Sequence, residues 1–165
     1  MSYNTRDDNG LFGPAAGIEI NNGAAAPLIA RLQIMEPVNY YAAAAANAVT
    51  QTCFICPPAA SVASGFPPQG TYQVIGASLV FSTASSSGTV QIEKATGTTA
   101  PGSGTNMLTG TMSTAGTANT VVNGTVVSNP NTLTLNPGDR LNVVIGGTQT
   151  GIVDLCVDIY VIRAS

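Results

Sequence analysis

Few residues in this chain could carry chemistry, and they are of restricted types. There are three cysteines, one lysine (Lys94), eight carboxylates and no histidine. Without histidine neither a Ser-His nor a Cys-His nucleophile can be assembled. Cys53-Phe54-Ile55-Cys56 has the spacing of a redox or zinc half-site. Zinc, however, needs four ligands, and no histidine is present to complete the set with Cys156. A thioredoxin-like pair would open a helix after a strand, whereas this one closes the apolar β-type run VTQTCFICPP, stopped by two prolines. The cysteines therefore read as small buried hydrophobes, and neither a metal nor a cofactor is expected. Paired-carboxylate chemistry needs two acids within about 5–10 Å. Asp154 and Asp158 share one strand face but lie about 13 Å apart at the usual rise per residue. Glu19, Glu36, Glu93 and Asp139 stand alone in sequence, as exposed or turn-capping carboxylates do. No enzyme is expected on this inventory. Asn123-Gly124-Thr125 matches a glycosylation sequon but reads more simply as part of a strand or tight turn.

The elements around these residues are strands. From Val49 onward, runs rich in Val, Ile, Thr and Tyr recur between clusters of Gly, Pro, Ser and Asn: TQTCFIC, TYQVIGASLVFST, GTVQIEKAT, NMLTGTMST, NTVVNGTVV, TLTL, DRLNVVIGG and GIVDLCVDIYVIRA. Eight such runs predict an all-β, jelly-roll-like sandwich of about eight strands over residues 49–165. In the last run, alternation places Val153, Leu155, Val157, Ile159 and Val161 on a core face and Asp154, Cys156, Asp158 and Tyr160 on the other. Asn136-Pro137-Gly138-Asp139 has the residue order of a type II turn, and Ser128-Asn129-Pro130-Asn131 marks another. KATGTTAPGSGT, at 94–105, is a long small-residue connection at one end of the sandwich.

Residues 1–48 read as an N-terminal arm and connecting segment. The first 27 are rich in Gly, Asn, Ala and Pro with isolated apolar residues Leu11, Phe12, Ile18 and Ile20. Too few apolar groups cluster there to repay the entropy of ordering, so this arm is expected to order on a partner. LIARLQIME fits a strand or an irregular segment, and AAAAANA at 42–48 a single helical turn or a packed strand edge.

Composition points to a surface covered by copies or partners, the alternative being a thermostable or secreted β domain whose surface is Ser, Thr and Asn. Only 8% of the 165 residues are charged, against about 25% in an average soluble protein. Apolar residues make up 44%, and the mean hydropathy is +0.26. Leaving so little charge is favourable where copies or partners bury the surface. The net charge is −3, and the five basic residues are scattered, so no basic stripe for nucleic acid is expected. No apolar run reaches the roughly 18–20 residues of a membrane span. The polar start MSYNTRDDNGLFGP is unlike a signal peptide and predicts synthesis in the cytosol.

The stretch from Tyr72 to Arg163 resembles a β-module of tailed-bacteriophage virion proteins. The likeness is carried by SGTVQIEKATGTTAPGSGTNMLTGT at 87–111 and by the turn LNPGDRL, and it departs at Met107, where an aliphatic residue is expected. Such modules are similar to those of head decoration (cement) and head-fibre-like proteins, which are trimeric β jelly rolls. The resemblance implies a structural virion protein on the outer head surface that stabilises the capsid. Its expected partners are two further copies of itself and the major capsid protein. On that reading Leu11, Phe12, Ile18 and Ile20 are the capsid-contact residues of the arm, and Val144, Tyr160 and Ile162 lie in the trimer interface. A tail- or fibre-associated receptor-binding role is the alternative, although no shaft, coiled coil or repeat array is evident in the sequence.

Overall fold

The computed structural model describes residues 19–20, 28–29, 35–57 and 70–164. The chain divides into two compact units, Met1–Ile34 and Met35–Ser165. In the first, β1 (Glu19–Ile20) pairs antiparallel with β2 (Leu28–Ile29). The expected arm residues Leu11, Phe12 and Ile18 lie outside the described residues, and Ile20 is placed opposite Leu28.

Among the described residues the second unit has ten strands and one helical turn. In chain order these are β3 (Met35–Ala42), β4 (Thr50–Ile55), β5 (Thr71–Val80), β6 (Ser87–Ala95), β7 (Thr105–Asn106), β8 (Met112–Ser113) and β9 (Val122–Gly124). Helical turn α1 (Pro130–Leu133) follows, then β10 (Thr134–Leu135), β11 (Arg140–Thr148) and β12 (Leu155–Ala164). The pairing is nested: β3 with β12, β4 with β11, β5 with β9 and β10, and β6 with β7 and β8, all antiparallel. A long ribbon folded once at its middle pairs in this way. The ribbon then rolls, joining β12 to β5 and β11 to β6, which gives two sheets ordered β10-β5-β12-β3 and β4-β11-β6-β7. This is the jelly roll, with the sixth and fifth strand positions each split into two short pieces.

Alternation fills the space between the sheets. Leu155, Val157, Ile159 and Val161 of β12 are fully buried, as are Leu141 and Val143 of β11 and Val90 and Ile92 of β6. Each such side chain contributes about 1.5–3 kcal/mol of transfer free energy. Met107 is also fully buried and fills the position where the resemblance expected an aliphatic residue. Phe54 and Tyr72 meet edge to face across the sandwich, with ring centroids 5.5 Å apart.

Several expectations change in detail. Val153 was expected on the core face of the last strand, but it precedes β12 and is 40% exposed. Asp154 adopts φ +54° in the turn before the strand, so the alternation starts at Leu155. TLTL is not one strand: Asn129 caps a helical turn by accepting from the Asn131 N–H at 3.0 Å, Pro130 opens it, and only Thr134–Leu135 is extended. Met35–Ala42, grouped with the arm in sequence, is a strand paired with Leu155–Ile162 along the outer edge of β12. It tolerates Pro37 because it is an edge strand. AAAAANA forms neither helix nor strand beyond Ala42. Asn47 instead accepts the Gln149 N–H at 2.6 Å. The expected type II turn is present, with Gly138 at φ +89° and the Asp139 N–H donating to the Asn136 carbonyl at 2.9 Å.

Candidate functional site

Three of the charged residues hold loops in place. Glu93, at the end of β6, is 2% exposed. Its Oε1 accepts from the Gly102 N–H at 2.5 Å and from Asn142 Nδ2 at 2.7 Å, and its Oε2 from the Gly104 N–H at 2.9 Å. The small-residue tract 94–105 is thus folded around a buried carboxylate. From the other side, Arg140 donates to the carbonyls of Gly97 and Thr99 at 3.1 and 2.7 Å. Lys94 Nζ donates to the carbonyls of Asn131 and Thr134 at 2.7 and 2.9 Å. These groups act as loop anchors rather than acids, bases or nucleophiles.

Another end of the sandwich is closed by neutral polar groups. Thr114 Oγ1 donates to Gln149 Oε1 at 2.9 Å and pairs with the Ser85 hydroxyl at 2.8 Å, and Gln149 Nε2 donates to the Gly146 carbonyl at 2.8 Å. Gly88 has to be glycine here, because a Cβ would collide with Gln149 Oε1 and Thr114 Oγ1.

The cysteines are free thiols rather than a bridge. Cys56 is fully buried and donates to the Leu135 carbonyl at 3.7 Å. Cys53 donates to the Leu141 carbonyl at 3.4 Å, and burial pushes its pKa up to about 11. Burial, then the nearby Asp139, raises that of Cys56 also. Both thiols are held protonated, the opposite of what a nucleophile or ligand needs. Among the described residues, no group of three or more His, Cys, Asp and Glu side chains could hold a metal ion.

The most developed surface arrangement lies on the outer face of β3 and β12. Tyr41 donates to Asp154 Oδ1 at 2.7 Å, and the Ser82 hydroxyl donates to Asp154 Oδ2 at 2.9 Å. These two bonds hold the Asp154 carboxyl below its ordinary range, and the bond to Asp154 raises the tyrosine above its own. Asn39 Nδ2 donates to Asp158 Oδ1 at 2.8 Å and to Cys156 Sγ at 3.0 Å. Asp154 and Asp158 thus sit in one cluster but are bridged by separate partners. The adjacent pair Tyr40-Tyr41 is the sequence signal for it, since on a strand one ring must face in and the other out.

No family model matches the chain, and no curated protein matches it in sequence. Chains of infectious bursal disease virus resemble it in backbone. One, from the Gx strain, has a TM-score of 0.41 at 16% identity and covers 89% of this chain and 37% of its own length. Another, from the Gt strain, has a TM-score of 0.35 at 18% identity and covers 98% of this chain and 42% of its own. This chain therefore spans less than half the length of either.

The residues expected at a trimer contact occupy two different faces. Val144, flanked by the buried Val143 and Ile145, is half-buried on the outer side of the β4-β11-β6 sheet. Tyr160 and Ile162 are half-buried on the outer side of the β5-β12-β3 sheet. Tyr160 lies over Gly76, where a Cβ would meet its ring at 3.4 Å, and its hydroxyl is 3.0 Å from that of Ser78. One protomer does not bring Val144 and Tyr160 together.

Proposed function

We propose that this chain is a structural virion protein that decorates and stabilises the head of a tailed bacteriophage. It does so as a homotrimer on the outer surface, tied to the major capsid protein by the arm residues Leu11, Phe12, Ile18 and Ile20. The observation that carries the reading is the jelly-roll pairing of strands β3 to β12, which takes in the stretch Tyr72–Arg163 that bears the resemblance to virion modules. Two further features support it: the charge-poor composition, and the use of Glu93, Lys94 and Arg140 as loop anchors rather than reactive groups. Many weak contacts at repeated positions on a shell add by multivalency, so a small body with a sparse apolar arm is sufficient for firm attachment.

The test is location on the particle. An antibody to the chain, with gold label on intact virions, is expected to mark the heads. A chain lacking residues 1–27 is expected to fold but to leave shells unlabelled. Label confined to the tail end would replace this reading with the fibre-associated one, and full shell binding by the truncated chain would remove the arm as the anchor.

A further inference from the structure

The outer face of the β3–β12 pair carries an arrangement that the sandwich itself does not require. Alternation along β3 buries Tyr40 and leaves Tyr41 59% exposed. An aromatic ring kept in water forgoes the free energy its burial would bring, a cost that serine or threonine at the same place would avoid. Tyr41 is also held in position, since its hydroxyl is bonded to Asp154 and Asp154 in turn to Ser82. A ring fixed at its tip and largely exposed loses little entropy on taking a ligand. Asn39, two residues along the same face and about 7 Å away at the usual rise, is fixed against Asp158. Each carboxylate oxygen can accept two hydrogen bonds, so Asp154 and Asp158 keep acceptor capacity beyond the bonds they already make.

We propose that this face binds a neutral oligosaccharide, with one pyranose ring stacked on Tyr41 and donating a hydroxyl to Asp154, and the adjoining ring donating to Asp158, about 13 Å further along the face. A pyranose presents an apolar C–H face and a rim of hydroxyl donors, which matches a fixed aromatic ring bordered by carboxylates. Charge selects the class. The side chains drawn into the cluster are Tyr41, Ser82, Asn39 and Cys156, none of them cationic, so sialic acids, uronic acids and phosphosugars are repelled. A single stacked ring gives weak affinity per copy, which repetition on a particle raises. The site is centred near Cys156, about 13 Å along β12 from Tyr160; its sugar chemistry is independent of the virion reading, and only the gain from repetition rests on it.

The experiment is a titration of the full chain, followed by two-dimensional amide spectra, with maltohexaose, chitohexaose and mannohexaose as neutral probes and 3′-sialyllactose as the anionic one. At least one neutral probe is expected to shift the amides of Asn39, Tyr41, Asp154 and Asp158, with sialyllactose binding at least about tenfold more weakly. Tyr41→Ala is expected to lower affinity about tenfold or more, and Tyr41→Phe, which keeps the ring, by no more than about threefold, each tenfold being about 1.4 kcal/mol. Unchanged thermal unfolding of both variants confirms that they fold. Three results would each overturn the proposal: no shift with any neutral probe, wild-type affinity in Tyr41→Ala, or equal binding of sialyllactose. Loss of sugar binding in a Tyr41→Ala chain that still labels phage heads would separate this site from the capsid attachment.

Discussion

Glu93 shows how a charge can be buried in a chain that has so few. Its two oxygens accept from two backbone N–H groups and one amide, so the carboxylate replaces water with fixed donors. Glu93→Ala would leave the donors of Gly102, Gly104 and Asn142 without acceptors in a dry site. A loss on the order of 3 kcal/mol is expected in urea unfolding, with far-ultraviolet circular dichroism almost unchanged. Cys53 gives a second expectation, in pH. Its folded pKa is raised from 9.0 to about 11 by burial, so between those values the unfolded chain sheds a proton that the folded chain keeps. Stability is therefore full below pH 9 and falls as pH rises toward 11, by up to about 2–3 kcal/mol. Cys56 and Tyr40, also raised by burial, act in the same direction. Comparing denaturation at pH 8 and pH 10.5 checks this, and Cys53→Ala is expected to shrink the difference.

At the scale of elements, β3 decides where the body begins. The eight residue pairs from Met35↔Ile162 to Ala42↔Leu155 cover an edge of β12 that would otherwise be bare, and Tyr40 adds a ring to the core. A chain of residues 35–165 is expected to unfold in one cooperative transition, whereas residues 49–165 should lose that cooperativity and bind hydrophobic dyes. Equal thermal melts for the two would show β3 to be dispensable. The strand is hard to read locally because MEPVNYYA contains a proline and a glutamate, and its partner lies well over a hundred residues away. Bulges are equally hidden. The register shift between Tyr160 and Val161 makes Ile75 an extra residue, so inward positions run Tyr72, Val74, then Ala77 and Leu79. Strict alternation would have sent half of β5 to the wrong face.

For the whole molecule, the separation of Val144 from Tyr160 and Ile162 bears on assembly. A ring of three joins two different patches at each contact, so residues on opposite outer faces can meet across protomers although they never meet within one. Native mass spectrometry is expected to give three times the 16.6 kDa of the chain. Tyr160→Asp, placing a second carboxylate near Asp158, is expected to reduce it to the monomer with the sandwich intact. Tyr160→Phe, which loses only the contact to the Ser78 hydroxyl, should stay trimeric. An unchanged mass for Tyr160→Asp would take Tyr160 out of the interface.

What the sequence determined by itself is the class of the fold and much of its punctuation. Period-two runs between Gly, Pro and Asn clusters are local consequences of sterics and burial, so the existence of strands β4, β5, β6, β11 and β12 and the Gly138 turn was legible, though not every residue's face. The want of histidine, and with it of the common nucleophile systems, was equally plain in composition. Tertiary structure alone decided the rest. The nested pairing, the inclusion of Met35–Ala42, the folding of the 94–105 tract around Glu93 and the Tyr41–Asp154–Ser82 cluster all join residues far apart in the chain. Such contacts depend on which surfaces the rolled ribbon brings within hydrogen-bonding distance, and neither propensity nor spacing along one strand encodes that.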